Sequence, residues 1–235
     1  MNVPETIELL DHGYIRFIED WGHGDVREAE AGIIEAARQS TQGSFRGWDE
    51  DRKLLNHLYR NKHFTPFEFA GMTIEVKAPI MVFREWHRHR TQSYNEMSAR
   101  YAPIPNNNYI PSPNRCMEVS AQNKQAGAVK GSDELTHKSV LEWLQKLDDL
   151  YVQADIVYQD GLSKGLPKEI ARLPMPVGRY TKMRASANLR NWLAFLTLRM
   201  DPSAQWEIRQ YANAVGLLIS QRFKNTWSLF SEDSL

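Results

Sequence analysis

Apolar residues recur along this chain in two rhythms, one of period two and one close to 3.6, and they alternate from segment to segment. ETIELLDHGYIRFIEDWGHG (5–24) reads as a short strand, a turn and a second apolar segment. REAEAGIIEAARQS (27–40) sets apolar residues at helical spacing among strong helix formers. DEDRKLLNHLYRNK (49–62) opens with an acidic first turn, which a helix dipole favours. FAGMTIEVKAPI (69–80) alternates and is β-branched, a strand ended by Pro79. That proline also suits the first helical position of PIMVFREWHRHR (79–90), whose apolar side is Met81, Val82, Phe83 and Trp86.

The second half is more helical. APIPNNNYIPSPNR (102–115) is rich in proline and asparagine and reads as an ordered loop, and AQNKQAGAVKGSDE (121–134) as an exposed polar excursion. The long segment after it places Val140, Leu144, Leu147, Tyr151, Ala154 and Tyr158 at steps of four and three, a single stripe for a core or a subunit interface. A short helix (166–174) is closed by Pro174, and a strand follows over 177–188. Helices over 188–200 and 203–225 are separated by Asp201-Pro202. Strands and helices interleave without regular βαβ spacing. The expected fold is a single mixed α/β (α+β) domain over 1–235, with a largely antiparallel sheet packed with helices.

Composition narrows the function. The 235 residues hold 29 Lys+Arg against 29 Asp+Glu, so no global field draws the chain to nucleic acid or to a membrane. No apolar run reaches the length of a membrane span, and the first residues lack a signal-peptide pattern. One cysteine, Cys116, rules out an internal disulfide framework and fits a reducing, cytoplasmic setting.

Against that neutral background, residues 84–100 hold Arg84, Arg88, Arg90 and Arg100 with His87 and His89. Such a cluster repels itself unless an anion sits in it. Phosphate-binding glycine loops of the G-x-G-x-x-G and G-x-x-x-x-G-K-[ST] types are absent. The flanking arginines disfavour a metal at His87, His89, Glu85 or Glu96. Ser93, Ser98 and Cys116 are the available nucleophiles, but none has a paired base in view. Arginine grips phosphate bidentately at any working pH, so a phosphorylated ligand is the reading that the cluster supports best. Nucleic acid would also supply phosphate, without support from the charge balance.

RHRTQSYNEMSARY (88–101) resembles the RHR-x7-S signature of the flavin-dependent thymidylate synthases, here Arg88-His89-Arg90 through Ser98. Further blocks resemble that family in order: AARQS (36–40), HFTPFEF (63–69), VKAPI (76–80), YIPSP (109–113), PKEIAR (167–172), ANLRNWLAFLTLR (187–199) and AQWEIRQYA (204–212). The resemblance runs from about residue 7 to 225, and segment 117–135 has no counterpart in it.

It implies a cytoplasmic homotetramer that makes dTMP from dUMP, with methylenetetrahydrofolate as carbon donor, FAD as redox cofactor and NADPH as reductant. No metal is implied. Carried over by position, the flavin side is His63, Thr65, Arg88, His89, Arg90, Glu96, Asn188, Leu189, Arg190 and Ala194. The nucleotide side is Glu85, Trp86, His87, Arg88, Glu96, Met97, Ser98, Ala99, Arg100, Arg172 from a neighbouring subunit, and Arg199. Arg199 matches the arginine that promotes ionisation at N3 of the uracil, so it is the catalytic candidate. Four positions depart from the pattern. Glu85 stands where many relatives carry glutamine, Ala194 where asparagine can touch flavin, and Phe69 and Ser203 where histidine is common. A protein that holds a nucleotide or RNA without turnover is the competing class.

Overall fold

The structure, a computed structural model, describes residues 5–22 and 28–233. Residues 23–24 and 27, at the edges of two predicted segments, lie outside the described residues. β1 (Thr6–Leu9) and β2 (Gly13–Trp21) form a hairpin, followed by helices α1 (Ala31–Arg38) and α2 (Trp48–Arg60). A 3₁₀ turn over Thr65–Phe69 leads into β3 (Gly71–Pro79), α3 (Ile80–Trp86) and β4 (Ser93–Glu96). Then come α4 (Pro113–Met117), α5 (His137–Ser163), α6 (Lys168–Ala171), β5 (Tyr180–Asn188), α7 (Leu189–Arg199), α8 (Trp206–Arg222) and α9 (Lys224–Asp233).

The strands form one five-stranded sheet in the order β1-β2-β3-β5-β4, every pairing antiparallel. β3 is the spine. It pairs with β5 along its whole length, so Met72, Ile74 and Val76 face Ala187, Ala185 and Met183 across the ladder. Those six side chains share one face, as period two demands, and all are buried in the core.

That face carries α1, α2, α3, α7 and α8, whose Ile33, Leu55, Phe83, Trp192 and Tyr211 join the same apolar cluster. Trp86 at the end of α3 stacks on Phe195 of α7 at 4.6 Å between ring centroids and meets Trp192 edge-on. Aromatic pairs of this kind add about 0.5–1.5 kcal/mol beyond area burial. They fix α3 and α7 side by side, and both helices carry site residues. The stripe expected on α5 is its inward face: Val140, Leu144, Tyr151 and Tyr158 are buried, Leu147 and Ala154 half-buried. No helix among the described residues is long and apolar enough to cross a membrane.

Several predicted boundaries moved, among them the helix expected over 166–174, which runs only Lys168–Ala171, and the strand expected over 177–188, which starts at Tyr180. The helix expected over 79–90 ends at Trp86, and the one expected over 203–225 breaks at Phe223 and restarts as α9. The 102–115 loop closes with the short α4, where Ser112 caps the helix by accepting from the Arg115 amide.

Candidate active site

Pro79 closes β3 in an extended conformation (φ −60°, ψ 146°) and leaves α3 to start at Ile80. The first amides of α3 donate to the strand lead-in beside it, Ile80 to Arg179 O and Met81 to Val177 O, at 3.0 and 2.9 Å. At its other end the chain must turn back to pair β4 with β5, so residues 87–92 form a turn and not another turn of helix. Tyr94 holds that turn, its hydroxyl donating to His89 O at 2.7 Å and Trp86 O at 3.3 Å. Inside it, the Trp86 indole N–H donates to the buried Gln92 at 3.0 Å. The Asn191 side chain of α7 donates to Thr91 O at 2.9 Å.

The turn therefore carries Arg88 and Arg90 on a braced base, with Arg84 on α3 before it and Arg100 after β4. Arg84, Arg88, Arg90 and Arg100 are all exposed, and among the described residues none of them makes a salt bridge. Arg100 lies over the Tyr101 ring, 5.7 Å from its centroid. Arg84 acts on the Glu96 carboxylate without a salt bridge, and among the described residues the other guanidiniums are left open to an anion.

Several carried-over residues gather beside this turn. His63 and Thr65 are exposed at the 3₁₀ turn before β3, and Glu68 of that turn pairs with Arg190 in the first turn of α7. Asn188 caps α7 by accepting from the Asn191 amide at 3.0 Å, which occupies its side-chain oxygen. Leu189 and Trp86 are fully buried, and His87 turns inward between Phe83 and Tyr94. These three side chains serve the scaffold. Ala194 is exposed on α7.

Arg199, at the last turn of α7, reaches back across the α3–α7 contact. Its Nη1 donates to Glu85 Oε2 at 3.0 Å, its Nη2 to Glu85 O at 2.9 Å and its Nε to His89 Nε2 at 2.8 Å. His89 accepts at Nε2, which requires the neutral ring. Burial, then the Arg199 charge, pushes its pKa down to about 4, although Glu85 pulls the other way. Glu85 is thus the ion-pair partner of Arg199.

The structure does not bring all the nucleotide-side residues together. Glu85 and Arg199 line a groove of about 1060 Å³ between the 115–127 segment and the α7–α8 connection, with Arg115, Trp206 and Arg209 on its walls. Asn123 fastens that segment by donating to Ser203 O at 3.0 Å. Glu96, Met97, Ala99 and Arg172 line a separate pocket of about 260 Å³ with Thr181. There, burial raises the Glu96 carboxyl pKa, with the Thr181 hydroxyl and Arg84 opposing it. The Ser98 hydroxyl accepts from the Arg100 amide at 3.3 Å. Arg172 is exposed and makes no salt bridge among the described residues.

A family model described as thymidylate synthase complementing protein matches residues 24–223. The chain belongs to the flavin-dependent thymidylate synthase family. It is 36% identical over 235 residues to the flavin-dependent thymidylate synthase of Thermus thermophilus, all of this chain against 82% of that one. It is 33% identical to that of Thermotoga neapolitana, with 95% of this chain and 93% of the relative covered. Among solved structures it is similar to the UMP/dUMP methylase PolB from Streptomyces cacaoi bound with 5-Br UMP. The TM-score is 0.80 at 29% identity, and 97% of both chains is covered.

The residues present suit the flavin that the family name implies. The guanidiniums of Arg88 and Arg90, without a salt bridge among the described residues, sit in the turn tied to the start of α7, an eleven-residue helix (Leu189–Arg199) whose N-terminus favours anions. A diphosphate is the group such a donor set would hold. Gln92, Tyr94 and Asn191, which brace the turn, were missed by motif reading. Gln92 and Tyr94 lie inside the motif, and their role shows only once the turn direction is known.

Proposed function

We propose that this protein makes dTMP from dUMP by reductive methylation, with methylenetetrahydrofolate as carbon donor, FAD as redox cofactor and NADPH as reductant. The observation that supports the reading is the arginine set Arg84, Arg88, Arg90, Arg100 and Arg172, exposed and without a salt bridge among the described residues, with Arg88 and Arg90 carried on a braced turn. The bound flavin would supply the redox equivalents, and Arg88, Arg90 and the α7 N-terminus would hold its diphosphate. The chain's own work is to position and to neutralise. Arg100 and Arg172 hold the nucleotide phosphate, and Ser98 and the 97–100 backbone fix its register. Arg199, locked by Glu85 and His89, presents its remaining N–H groups to the pyrimidine. No cysteine nucleophile is required, and Cys116 keeps its proton, because burial raises the thiol pKa.

Two separate half-sites favour the homotetramer of the family resemblance. The Arg199 groove of one chain would meet the Glu96–Arg172 pocket of another. The exposed Trp143, Leu150, Val157, Leu166, Ile170 and Leu173 on and after α5 supply an apolar face for that assembly. A soluble cytoplasmic enzyme fits the same reading.

The test is direct. The purified protein should be yellow, dUMP should perturb its flavin spectrum, and omitting any of the three substrates in turn should abolish dTMP formation. Colourless protein that cannot be loaded with FAD would leave a nucleotide-binding protein without turnover.

A further inference from the structure

The open face of the sheet, opposite Met72, Ile74 and Val76, carries charge that neither the flavin side nor the nucleotide side uses. Residues paired across an antiparallel ladder share a face, so Tyr14, Lys77 and Lys182 stand in a row across β2, β3 and β5. Thr73 and Ser186, paired further along the same ladder, show this sharing directly, with Thr73 Oγ1 donating to Ser186 Oγ at 3.2 Å. Two lysines set directly opposite each other repel and weaken the sheet. Neither Lys77 nor Lys182 makes a salt bridge among the described residues.

The acids that flank this pair are committed elsewhere. Glu75, two residues along β3 on the same face, accepts from the Tyr14 hydroxyl at 2.7 Å and from Arg16 at 2.8 Å. Asp11 accepts from the Tyr180 hydroxyl and from the Ile110 amide. Glu8 lies opposite Tyr14 on β1, one strand further out, and the Glu96 carboxyl interacts with Thr181 and Arg84. Arg184, opposite Glu75, adds positive charge and makes no salt bridge among the described residues. Lys77 Nζ lies over the Tyr180 ring, 5.5 Å from its centroid, a contact that leaves its charge in place.

The two lysines line a cavity of about 200 Å³ with Tyr14, Met97, Asn107 and Thr181, and no carboxylate lines it among the described residues. The Asn107 side chain has no hydrogen bond there and is a neutral donor to spare. The volume is below the roughly 300–1,000 Å³ that encloses a whole small-molecule ligand, so what enters is compact. Two ammonium groups and an amide suit an oxyanion with two charges, which lysine meets as a point charge from any direction.

We propose that Lys77 and Lys182 form an anion site, separate from the 84–100 cluster, for a small doubly charged oxyanion of the phosphate class. The proposal does not depend on the thymidylate reading, because it uses none of the residues assigned there to flavin or nucleotide phosphate.

The experiment follows the melting temperature of the purified protein as inorganic phosphate is added, with chloride adjusted to hold ionic strength constant. The temperature should rise and saturate, as for a ligand that binds only the folded state. Lys77→Gln and Lys182→Gln should each need about tenfold more phosphate for the same rise, the scale for losing one hydrogen bond to a charged group. Without phosphate, both variants should melt no lower than the unaltered protein, because the repulsion is gone. Phosphate held by the exposed arginines contributes alike to all three proteins, so the difference between them reports the lysine site. Methyl phosphate in a second titration separates the sources: a lysine-dependent rise with both probes assigns the site to a phosphate monoester, and a rise with inorganic phosphate alone assigns it to the free ion. Superimposable phosphate curves for the three proteins overturn the proposal, and so does a rise no larger than chloride gives. A change of oligomeric state in the variants without a phosphate effect also overturns it, and gives the pair to a subunit contact. If Lys77→Gln does not fold, Lys182→Gln decides alone, since Lys182 is exposed.

Discussion

Arg199 donates its Nε–H to Nε2 of His89 at 2.8 Å, which joins the end of α7 to the middle of the RHR turn. This contact couples the protonation of one residue to the position of the other. A protonated His89 would set an N–H against an N–H, and two cations side by side.

The first prediction follows from that geometry. Free His89 titrates near 6.5, and the folded ring is held down to about 4. A depressed histidine pKa means that the unfolded chain binds the proton first, so stability is complete above pH 6.5 and falls as pH drops towards 4. Solvent screening of a half-buried ring leaves an effect of about 1 kcal/mol. Urea midpoints measured across this window should fall with acid, and His89→Asn should flatten the slope. An equal slope in both proteins would assign the acid sensitivity elsewhere.

Arg199→Ala should keep flavin and lose roughly a hundred- to a thousandfold in dTMP formation, the scale for removing one preorganised electrostatic donor. It also leaves Glu85 facing the groove as an uncompensated carboxylate, so Arg199→Ala/Glu85→Ala should be more stable to heat than the single variant. Full activity in Arg199→Ala would take this residue out of the mechanism.

How far could these contacts be read from the chain? The sheet and its flanking helices were legible, because Met72, Ile74 and Val76 alternate in strand rhythm and Val140 to Tyr158 follow helical steps. β4 was not, because its four residues Ser93–Glu96 are polar and exposed or half-exposed, so no alternation reports them. The α8–α9 break was hidden for a different reason. The apolar pattern continues past Phe223, and what starts the next helix is a long-range contact, with the buried Glu30 accepting from the Asn225 and Thr226 amides. At the site, the concentration of charge in the cluster 84–100 stood out on its own. The Glu85–Arg199 pair did not, since 114 residues separate its members.

Tyr94→Phe tests the base of the turn. It removes one hydroxyl that serves two carbonyls, those of Trp86 and His89, without touching any arginine. The expected cost is about 1 kcal/mol of stability. The more telling change is weaker flavin retention, because Arg88 and Arg90 lose their fixed platform. Flavin-to-protein ratios after gel filtration measure this, and an unchanged ratio would mean that Trp86–Gln92 and Asn191–Thr91 hold the turn without Tyr94.

Cys116→Ala separates the two ways of activating the pyrimidine. Cys116 lines the same groove as Arg199, so it is the thiol to test. Its environment argues against a thiolate, because burial raises the thiol pKa more than Arg115 lowers it and Glu207 adds to the rise. A nucleophilic cysteine needs the opposite balance, a thiolate favoured by cationic neighbours. Arg115 could have supplied it, but its guanidinium is committed to Glu207 through Nε at 2.9 Å. Turnover in Cys116→Ala should stay within about twofold of the unaltered protein, as for a surface substitution that costs less than about 0.5 kcal/mol. Loss of turnover with flavin and dUMP binding intact would mean that attack by sulfur, and not the electrostatics of Arg199, activates the base.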